Sequence, residues 1–385
     1  MPVFARWAVT RVVVCGTKTR GRRKVVTVVS ARTLSLVSAA FAVATLAACT
    51  DNANGAKTER SSAERVAAQL NICAEGSEDQ FAQNVCANRS LAELDGQVRA
   101  ALVAESAAIS DAGTQLLVQN QNRWRDAARV SCGIIDEAAQ PDTTQQRCLE
   151  AAFRARAQQA QNAVQEVGGY TFQRMELVDA TPVTAEIASA VGGAAPIAVE
   201  RDIRFPRIDG PQTPAIRRFN ELVAQQPQFS LGDATNENVD YSIAYAGEEL
   251  ISVKFIVSAD SIAAANATNT VKAVTVVMSD GGRLLTEGDV FRADSGWQNF
   301  ITDRAVARIS REFPDYANFP PRRDVYETAT KPHLWLITER GLVLMFPPLS
   351  FGGSHADGGI EVTIPWADLR EYLNPAAPAP IRPAV

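Results

Sequence analysis

Apolar residues recur every three or four positions between residues 90 and 164, and this spacing predicts amphipathic α-helices. The first helix is predicted to begin with a capping box formed by Ser90 and Glu93. Its apolar face consists of Leu91, Leu94, Val98 and Leu102. Glu93 and Asp95 are then expected on a solvated face, where favourable interaction with the helix dipole accounts for their charges.

Two further helices are predicted in the same region. The second begins at Asp111 or Thr114 and turns Leu117 and Trp124 toward the core, and the third begins at Asp142. Three helices with short connections predict an antiparallel bundle. Trp124 is most simply a core residue, because Leu117 lies seven positions before it on the same face.

The hydrophobic period changes to that of β-strands in the second half of the chain, where β-branched residues are frequent. Strands are predicted within 243–257, 271–278, 334–337, 342–346 and 360–364. Asp280-Gly281-Gly282 predicts a hairpin-type turn, and residues 296–313 have helical spacing. The predicted fold class is α+β, with a disulfide-stapled three-helix bundle followed by a mixed α/β sheet domain.

Composition places the boundaries between these regions. The predicted order is a lipoprotein signal peptide over 1–48, a polar tether over 49–62, a helical domain over 63–167, a linker over 168–198, an α+β domain over 199–373 and a Pro- and Ala-rich tail over 374–385. The linker is rich in Ala, Gly, Pro and Thr. The tail contains too many prolines to continue a helix or strand and is expected to be extended.

The leader has the composition of an export signal. Residues 1–48 contain eight Lys or Arg and no Asp or Glu, and an apolar stretch follows the basic run. It ends in Leu-Ala-Ala before Cys49, the sequence that a lipoprotein signal peptidase requires, so Cys49 is the predicted lipidation site. The alternative is an ordinary secretory signal with a chance cysteine. No Asp follows Cys49, which favours the periplasmic face of the outer membrane in a bacterial envelope.

Removal of the leader makes the remaining chain strongly acidic. The full chain has a net charge of −5, and the loss of eight positive charges leaves about −13. An acidic exported protein repels nucleic acid and attracts cationic partners, most strongly at low salt. The alternative is that this charge serves only solubility.

Four cysteines remain in an oxidising compartment once Cys15 and Cys49 are set aside, and an even number predicts two disulfides. The bundle topology brings three of them to one end, with the fourth on the incoming segment. Three pairings stay open, and the shortest loops favour Cys73–Cys86 and Cys132–Cys148. No C-x-x-C spacing or nearby histidine supports a zinc site, and no metal or cofactor is expected.

Catalysis is not predicted for this chain. Ser354 and His355 are neighbours, so their side chains diverge and do not form a nucleophile–base pair, although Asp357 stands close by. The other histidine, His333, is expected at the entrance of a strand, where a capping role suffices. The loop around His355 is a connector between strands, which is where binding surfaces are often located. A turn without function is the alternative.

The helical region resembles the N-terminal domain of LprI-type lysozyme inhibitors. The matching features are the four cysteines, the sequence LAELD ending at Asp95, Gln121 and Trp124 as Q-x-x-W, and CLEAAFRAR beginning at Cys148. The departure lies between Trp124 and Cys132, where Ala128-Arg129 replaces the Arg-Asp pair of that family. The resemblance covers about a quarter of the chain.

The second half is similar to the extracytoplasmic domain of RsiV-type anti-sigma factors, which also occurs beside some peptidoglycan deacetylases. The similarity lies in RDIRFPRIDG followed by RRFNELV, in LLTEGDVF, in LWLITERGLVLMFPPLSF and in GGIEVTIPWADL. The membrane-spanning and sigma-binding parts of those factors are absent from this sequence, so the resemblance does not imply their signalling role.

Both resemblances imply contact with lysozyme. The function predicted from them is that of a lipid-anchored periplasmic protein that binds a cationic, lysozyme-type muramidase and occludes its cleft. Phe351 is the predicted apolar anchor, and His355, Asp357 and Glu361 are predicted contacts. The alternative is a module that binds peptidoglycan or acts as a scaffold without inhibiting lysozyme.

Overall fold

The structure, a computed structural model, describes residues 62–191, 195–225, 234–262, 267–312, 321–350 and 359–382. Helices and two β-sheets alternate through these ranges, and the predicted α+β class is confirmed. Residues Thr58–Val385 form one compact unit. No helix in the described ranges is long and apolar enough to cross a lipid bilayer.

The N-terminal region contains the three long helices that the sequence predicts, preceded by two short ones. Their bounds are α1 Ser62–Gln69, α2 Gln80–Ala87, α3 Arg89–Ser106, α4 Asp111–Ser131 and α5 Thr143–Ala160. Leu91, Leu102 and Leu117 are buried between these helices together with Leu149 and Phe153. The apolar face read from the sequence is therefore the face that the helices share.

The start of α3 differs from the prediction. The N-cap is Asn88, whose Oδ1 accepts hydrogen bonds from the backbone N–H groups of Ser90 at 3.0 Å and Leu91 at 3.3 Å. The box of Ser90 and Glu93 is wrong because the asparagine two residues earlier already satisfies the free N–H groups of the first turn. Glu93 instead forms an exposed ion pair with Arg89 at 2.9 Å.

The other two long helices begin where the sequence places them. Helix α4 begins at Asp111, one of the two predicted starts, after the N-cap Ser110. Helix α5 follows Asp142, which forms a capping box with Gln145. The Asp142 carboxylate accepts from the Gln145 N–H at 2.8 Å, and the Gln145 side chain accepts from the Asp142 N–H at 2.9 Å.

Two disulfides connect the helical region in the pairing that closes the shortest loops. Cys73 pairs with Cys86 and Cys132 with Cys148, each with Cα atoms 5.6 Å apart and with sequence separations of 13 and 16. The Asn84 amide of α2 donates to the Ala139 carbonyl in the loop after α4 at 3.1 Å. Each disulfide is expected to contribute about 2–4 kcal/mol by restricting the unfolded chain.

A seven-stranded mixed sheet follows the helices. Its strands lie in chain order and are β1 Val164–Val167, β2 Tyr170–Pro182, β3 Ala198–Ile208, β4 Thr235–Ala246, β5 Leu250–Ser261, β6 Thr268–Val277 and β7 Arg283–Leu284. Neighbouring strands are antiparallel except β3 and β4, which are parallel and are connected through α7, Pro214–Ala224. Short helix α6, Ala185–Val191, lies between β2 and β3 in the chain.

A three-stranded antiparallel sheet forms the C-terminal part. Its strands are β8 Trp335–Ile337, β9 Gly341–Phe346 and β10 Ile360–Pro365, with β9 in the middle. The accompanying helices are α8 Glu287–Val290, α9 Trp297–Glu312, α10 Arg322–Ala329 and α11 Trp366–Leu369. The three predicted strands and the helix predicted over 296–313 are confirmed within about two residues.

The run predicted over 243–257 contains a turn that periodicity did not reveal. Strand β4 ends at Ala246, β5 begins at Leu250, and the Gly247 N–H donates to the Leu250 carbonyl at 2.9 Å. Both strands are rich in apolar residues, so the hydrophobic pattern is nearly continuous across the turn. Two successive glutamates after Gly247 are the local sign of the reversal.

The segment predicted as a linker over 168–198 is not a linker. Residues 170–182 of it form β2, which pairs with β1 on one side and with β3 on the other, and α6 follows. Residues 164–167, predicted as helix, form β1. Composition was misleading because the Ala-, Pro- and Thr-rich residues lie mainly after β2. The pairing with β3 is long-range and leaves no local signal.

The tail also differs from the prediction. Its described residues, 374–382, do not extend into solvent: Ala377 and Ile381 are buried in the largest apolar core. That core includes Phe291, which stacks on Trp297 with ring centroids 4.3 Å apart, while Trp335 meets both rings edge-on. The prolines prevent regular structure but leave Ala and Ile side chains free to fill the core.

A buried ion pair joins the helical region to the large sheet. Arg156 of α5 and Glu176 of β2 have side chains only 3% exposed, with Nη1 and Oε2 2.8 Å apart. Arg174 Nε lies 2.7 Å from the other Glu176 oxygen, and the Gln121 amide oxygen accepts from Arg156 Nε at 2.8 Å. Burial alone raises the pKa of Glu176, but Arg156 and Arg174 outweigh it and hold that pKa below its usual range.

A second set of contacts fixes the start of α4 against the end of β3. Asp209 Oδ2 accepts from the Ser110 N–H at 2.5 Å, and Asp209 Oδ1 lies 2.8 Å from both Ser110 Oγ and Arg207 Nη1. The Asp209 carboxylate can lie this close to α4 only because residue 113 is a glycine: a Cβ at Gly113 would lie 2.7 Å from Asp209 Oδ1. Gln173 of β2 donates to the Gly113 carbonyl at 2.7 Å.

Removal of the buried carboxylate is expected to be costly. In Glu176→Gln, Arg156 keeps its charge in a buried position without an anionic partner, and the free energy of unfolding is expected to fall by about 3–5 kcal/mol. The double replacement Arg156→Met with Glu176→Leu removes both buried charges and is expected to cost less than the single change. Urea denaturation at neutral pH measures the free energy of unfolding of both variants and of the wild type.

The matched control is Glu93→Gln, which removes one partner of the exposed pair with Arg89. Its expected change is below about 0.5 kcal/mol. A loss as small as this for Glu176→Gln would show that the buried ion pair does not hold the two regions together.

Candidate functional site

The contact residues predicted from the sequence are mostly outside the described ranges. Phe351, His355 and Asp357 lie in 351–358, and the lipidation site Cys49 lies before residue 62. Glu361 is described: it is exposed on β10 and forms an ion pair with Lys254 of β5. The Glu361 carboxylate thus bridges the two sheets, and its charge is offset within the chain.

A groove of about 420 Å³ lies between the helices and the large sheet, and we call it the interlayer groove. Helices α4 and α5 form one wall, and strands β2 and β3 form the other. The lining residues are Trp124, Ala127, Ala128, Ser131, Cys132, Cys148, Ala151, Ala152, Val178, Asp179, Glu200, Arg201 and Asp202. The groove exists because α4 and α5 present alanines here, whose short side chains leave the space beside the strands unfilled.

The helical wall is apolar and rigid. The Cys132–Cys148 disulfide connects the end of α4 to the start of α5 at one end of this wall. Trp124 is half-buried, and its ring meets that of Phe153 edge-on at 5.1 Å. The predicted packing of Trp124 into the bundle is therefore only part of its role, since the same side chain also lines the groove.

The sheet wall carries charge. Two carboxylates of β3, those of Glu200 and Asp202, lie on the side of the sheet that faces the helices. Asp179 and Arg201 also line the groove, but they are directly opposite each other in the β2–β3 register and their side chains alternate to the other face of the sheet. Asp202 accepts from Arg204 Nε at 3.0 Å, yet burial raises the pKa of Asp202 more than Arg204 lowers it. The net charge of the lining side chains is negative.

The ion pair between Arg156 and Glu176 lies behind this groove and sets the position of its aromatic residue. The Arg156 guanidinium carbon lies 5.4 Å from the centroid of the Trp124 ring, within the range of a cation–π interaction. The negative charges of Glu176 and Asp202 both act to raise the pKa of Arg156. The groove and the buried network are therefore electrostatically coupled.

The side chains of the groove suit the binding of a cation. Among its described lining residues, Ser131 is the one hydroxyl and none is histidine. Within the described ranges, no cluster of three or more His, Cys, Asp or Glu side chains is arranged to hold a metal ion. An apolar wall opposite carboxylates is instead suited to a cationic side chain with an aliphatic stem.

The sequence contained a signal for this groove in the spacing of charged residues along β2 and β3, although the composition of 168–198 suggested a linker. Charged residues occupy alternate positions of β2 and β3, at Arg174 and Glu176 and again at Asp202 and Arg204. The register pairs Glu176 with Arg204. Alternating charges of opposite sign usually indicate a solvated strand face, so the pattern alone does not show that helices cover it.

Asp95 is a further departure from the prediction. It is only 4% exposed, not solvated, and burial raises its pKa to about 6 against the opposing influence of Arg99 and Arg125. The helical period already indicated this, because Asp95 lies four positions after Leu91 and three before Val98, on the apolar face.

Comparisons with known proteins give little further information. No protein-family model matches the chain, and no curated protein matches it. Six chains of solved structures match. A DUF3298 family member from Bacteroides fragilis is 11% identical, with 55% of this chain and 96% of that chain covered and a TM-score of 0.38. A DUF3298 family protein from Pseudomonas aeruginosa is also 11% identical, with coverages of 56% and 98% and a TM-score of 0.40.

Those two structures are described only as members of that family, with no catalytic role given. Likeness at these TM-scores does not extend to function. The residues of the chain itself therefore carry the functional argument.

The buried position of Asp95 makes stability depend on pH. Its folded-state pKa of about 6 exceeds the ordinary value of 3.8, so the fold prefers the protonated carboxyl. This contribution is present below the unfolded pKa and is lost as the pH rises through about 6. The side chain of Asp95→Asn is neutral at every pH and keeps this contribution. The free energy of unfolding of the variant, relative to that of the wild type, is therefore expected to rise by up to about 3 kcal/mol between pH 4 and pH 7.5.

Urea denaturation measures the free energy of unfolding of both proteins across this pH range. Other titrating groups contribute equally to both proteins, so their contributions cancel in the difference. Glu93→Gln changes an exposed carboxylate on the same helix and serves as the control. A difference between wild type and Asp95→Asn that does not vary with pH would contradict the assignment.

Proposed function

We propose that this protein binds a cationic, lysozyme-type muramidase in the bacterial envelope, held there by lipid on Cys49. The observation that supports the proposal best is the interlayer groove, in which Glu200 and Asp202 lie on the sheet face opposite an apolar wall that contains Trp124. The groove offers a cationic side chain both an aliphatic contact and a counter-charge. The proposal concerns binding and assigns no bond-breaking step to the chain.

An arginine or lysine from a partner loop fits the two walls. Its methylene stem would pack along Ala128 and Ala151, and its charged group would approach Glu200 and Asp202. Glu200 is exposed and Asp202 is half-buried, so the charged group can reach Glu200 without rearrangement of the core. A rigid helical wall reduces the loss of conformational entropy on binding, because the disulfide already fixes its end.

The charge of the processed chain supports the same partner class. A net charge of about −13 after loss of the leader would speed the encounter with a cationic enzyme at low salt. The carboxylates of the groove then fix the orientation of the bound side chain. Inhibition would follow when the bound protein covers the cleft of the muramidase.

The test uses the compact unit beginning at Thr58 and a cationic lysozyme as the probe. Glu200→Gln combined with Asp202→Asn is expected to weaken the affinity about tenfold, because it removes the two carboxylates on the helix-facing side of β3. Isothermal titration measures the affinity, and the clearing of a cell-wall suspension measures inhibition. Weaker binding at higher salt is also expected.

The matched control is Glu221→Gln combined with Glu327→Gln, which changes the net charge equally on exposed positions of α7 and α10. It is expected to change the affinity less than about twofold. Equal weakening by both pairs would show that overall charge, not the groove, determines binding. Unchanged lysis at a large molar excess of the protein would reject inhibition, and retention on purified sacculi without lysozyme would favour a peptidoglycan-binding module.

A further inference from the structure

Two adjoining cavities, which share no lining residue with the interlayer groove, have two basic side chains in common. One has a volume of about 320 Å³ and the other about 380 Å³, and Lys272 and His333 line both. Lys331 lines the second cavity. We call the two together the cationic cavity.

Strand β6 and a short 3-10 helix bring the three basic side chains together beside this cavity. Lys272 lies on β6, and Lys331 and His333 flank Pro332 at the start of a short 3-10 helix, Pro332–Leu334. The proline fixes the backbone direction just before β8 begins, so the two side chains stay beside the strand. Lys331 and His333 are exposed and can be reached from solvent. Lys272 has a further interaction within the chain, so the exposed pair is the accessible part of the site.

The described residues that line the two cavities include no carboxylate. They include hydroxyl groups that can donate hydrogen bonds, those of Thr270 and Thr328. Only three of the six lysines of the chain lie in the described ranges, and two of these three line the cavity. The third, Lys254, pairs with Glu361 instead.

The surroundings of His333 disfavour its protonated form. Burial lowers the pKa of His333, and the charges of Lys272 and Lys331 lower it further. An anion beside Lys331 and His333 would favour the imidazolium and accept charge-assisted hydrogen bonds from both side chains.

We propose that the cationic cavity is a binding site for an oxyanion, a phosphate or carboxylate group, held by Lys331 and His333 with hydroxyl donors beside them. The site is separate from the interlayer groove: no residue lines both. The source of the oxyanion is either a small soluble ligand or the headgroup of an anionic lipid. The proposal does not depend on lysozyme binding.

The test follows the His333 imidazole by NMR in the compact unit beginning at Thr58. With one other histidine in the chain, His355, the two ring signals are assigned through His333→Gln. The pH titration of His333 is recorded in chloride and again with inorganic phosphate at the same ionic strength. The His333 pKa is expected to rise with phosphate in a saturable way, since a bound anion favours the imidazolium.

Lys331→Gln is expected to weaken the phosphate affinity about tenfold, because it removes one charged donor. Lys254→Gln is the matched control, since it removes a lysine charge away from the cavity and is expected to leave the affinity unchanged. Acetate tests a carboxylate, and phosphatidylglycerol vesicles against phosphatidylcholine vesicles test a lipid headgroup. A response to any of these anions that Lys331→Gln weakens supports the site and identifies its source.

Two outcomes would overturn the proposal. One is an identical His333 titration in chloride and in every oxyanion, which would mean that ionic strength alone acts on the histidine. The other is a shift that Lys331→Gln and Lys254→Gln reduce equally, which would reflect the net charge of the protein and not a site.

Discussion

The ion pair of Arg156 and Glu176 is the interaction on which the architecture depends. Both side chains are almost completely buried, so each charge has lost its hydration and requires the other. Such a pair adds little to stability compared with apolar packing, but it forms only when both charged groups lie within hydrogen-bond distance of each other. It allows α5 to sit on β2 in a register that brings the two charges together, with Arg174 and Gln121 satisfying the remaining groups. The helical region and the sheet therefore pack as parts of one unit.

The disulfides and the ion pair constrain different parts of the helical region. The disulfides fix α2 to the preceding segment and α4 to α5, and they act mainly by restricting the unfolded chain. The ion pair and the contacts of Asp209 act only in the folded state, where they orient α4 and α5 against β2 and β3. Together they hold open the interlayer groove, whose alanine-lined wall cannot close on the strands without moving a fixed helix.

The distribution of charge gives the two proposed sites opposite preferences. Carboxylates of β2 and β3 line the interlayer groove, whereas Lys272, Lys331 and His333 line the cationic cavity. In an acidic chain, a concentration of the few lysines in one cavity is a stronger local signal than another acidic surface. The two proposed sites share no described lining residue, so a cationic partner and a small anion would not compete for the same residues.

The sequence by itself determined the elements whose causes are local. The start of helix α5 at Asp142, the turn at Gly281 and the apolar strand β9 follow from residue type and spacing, and the α+β class follows from them. Loop length only favoured the observed disulfides among three possible pairings. The tertiary structure alone decided what covers each element. Strand β2 looked like a linker until its pairing with β3 was known, and Asp95 looked solvated although it is buried. The charges of the groove alternate as on a solvated strand, and only the packing of α4 and α5 over them makes a site. A side chain's solvation and pKa depend on groups distant in the sequence, whereas capping and periodicity depend on neighbours a few residues away.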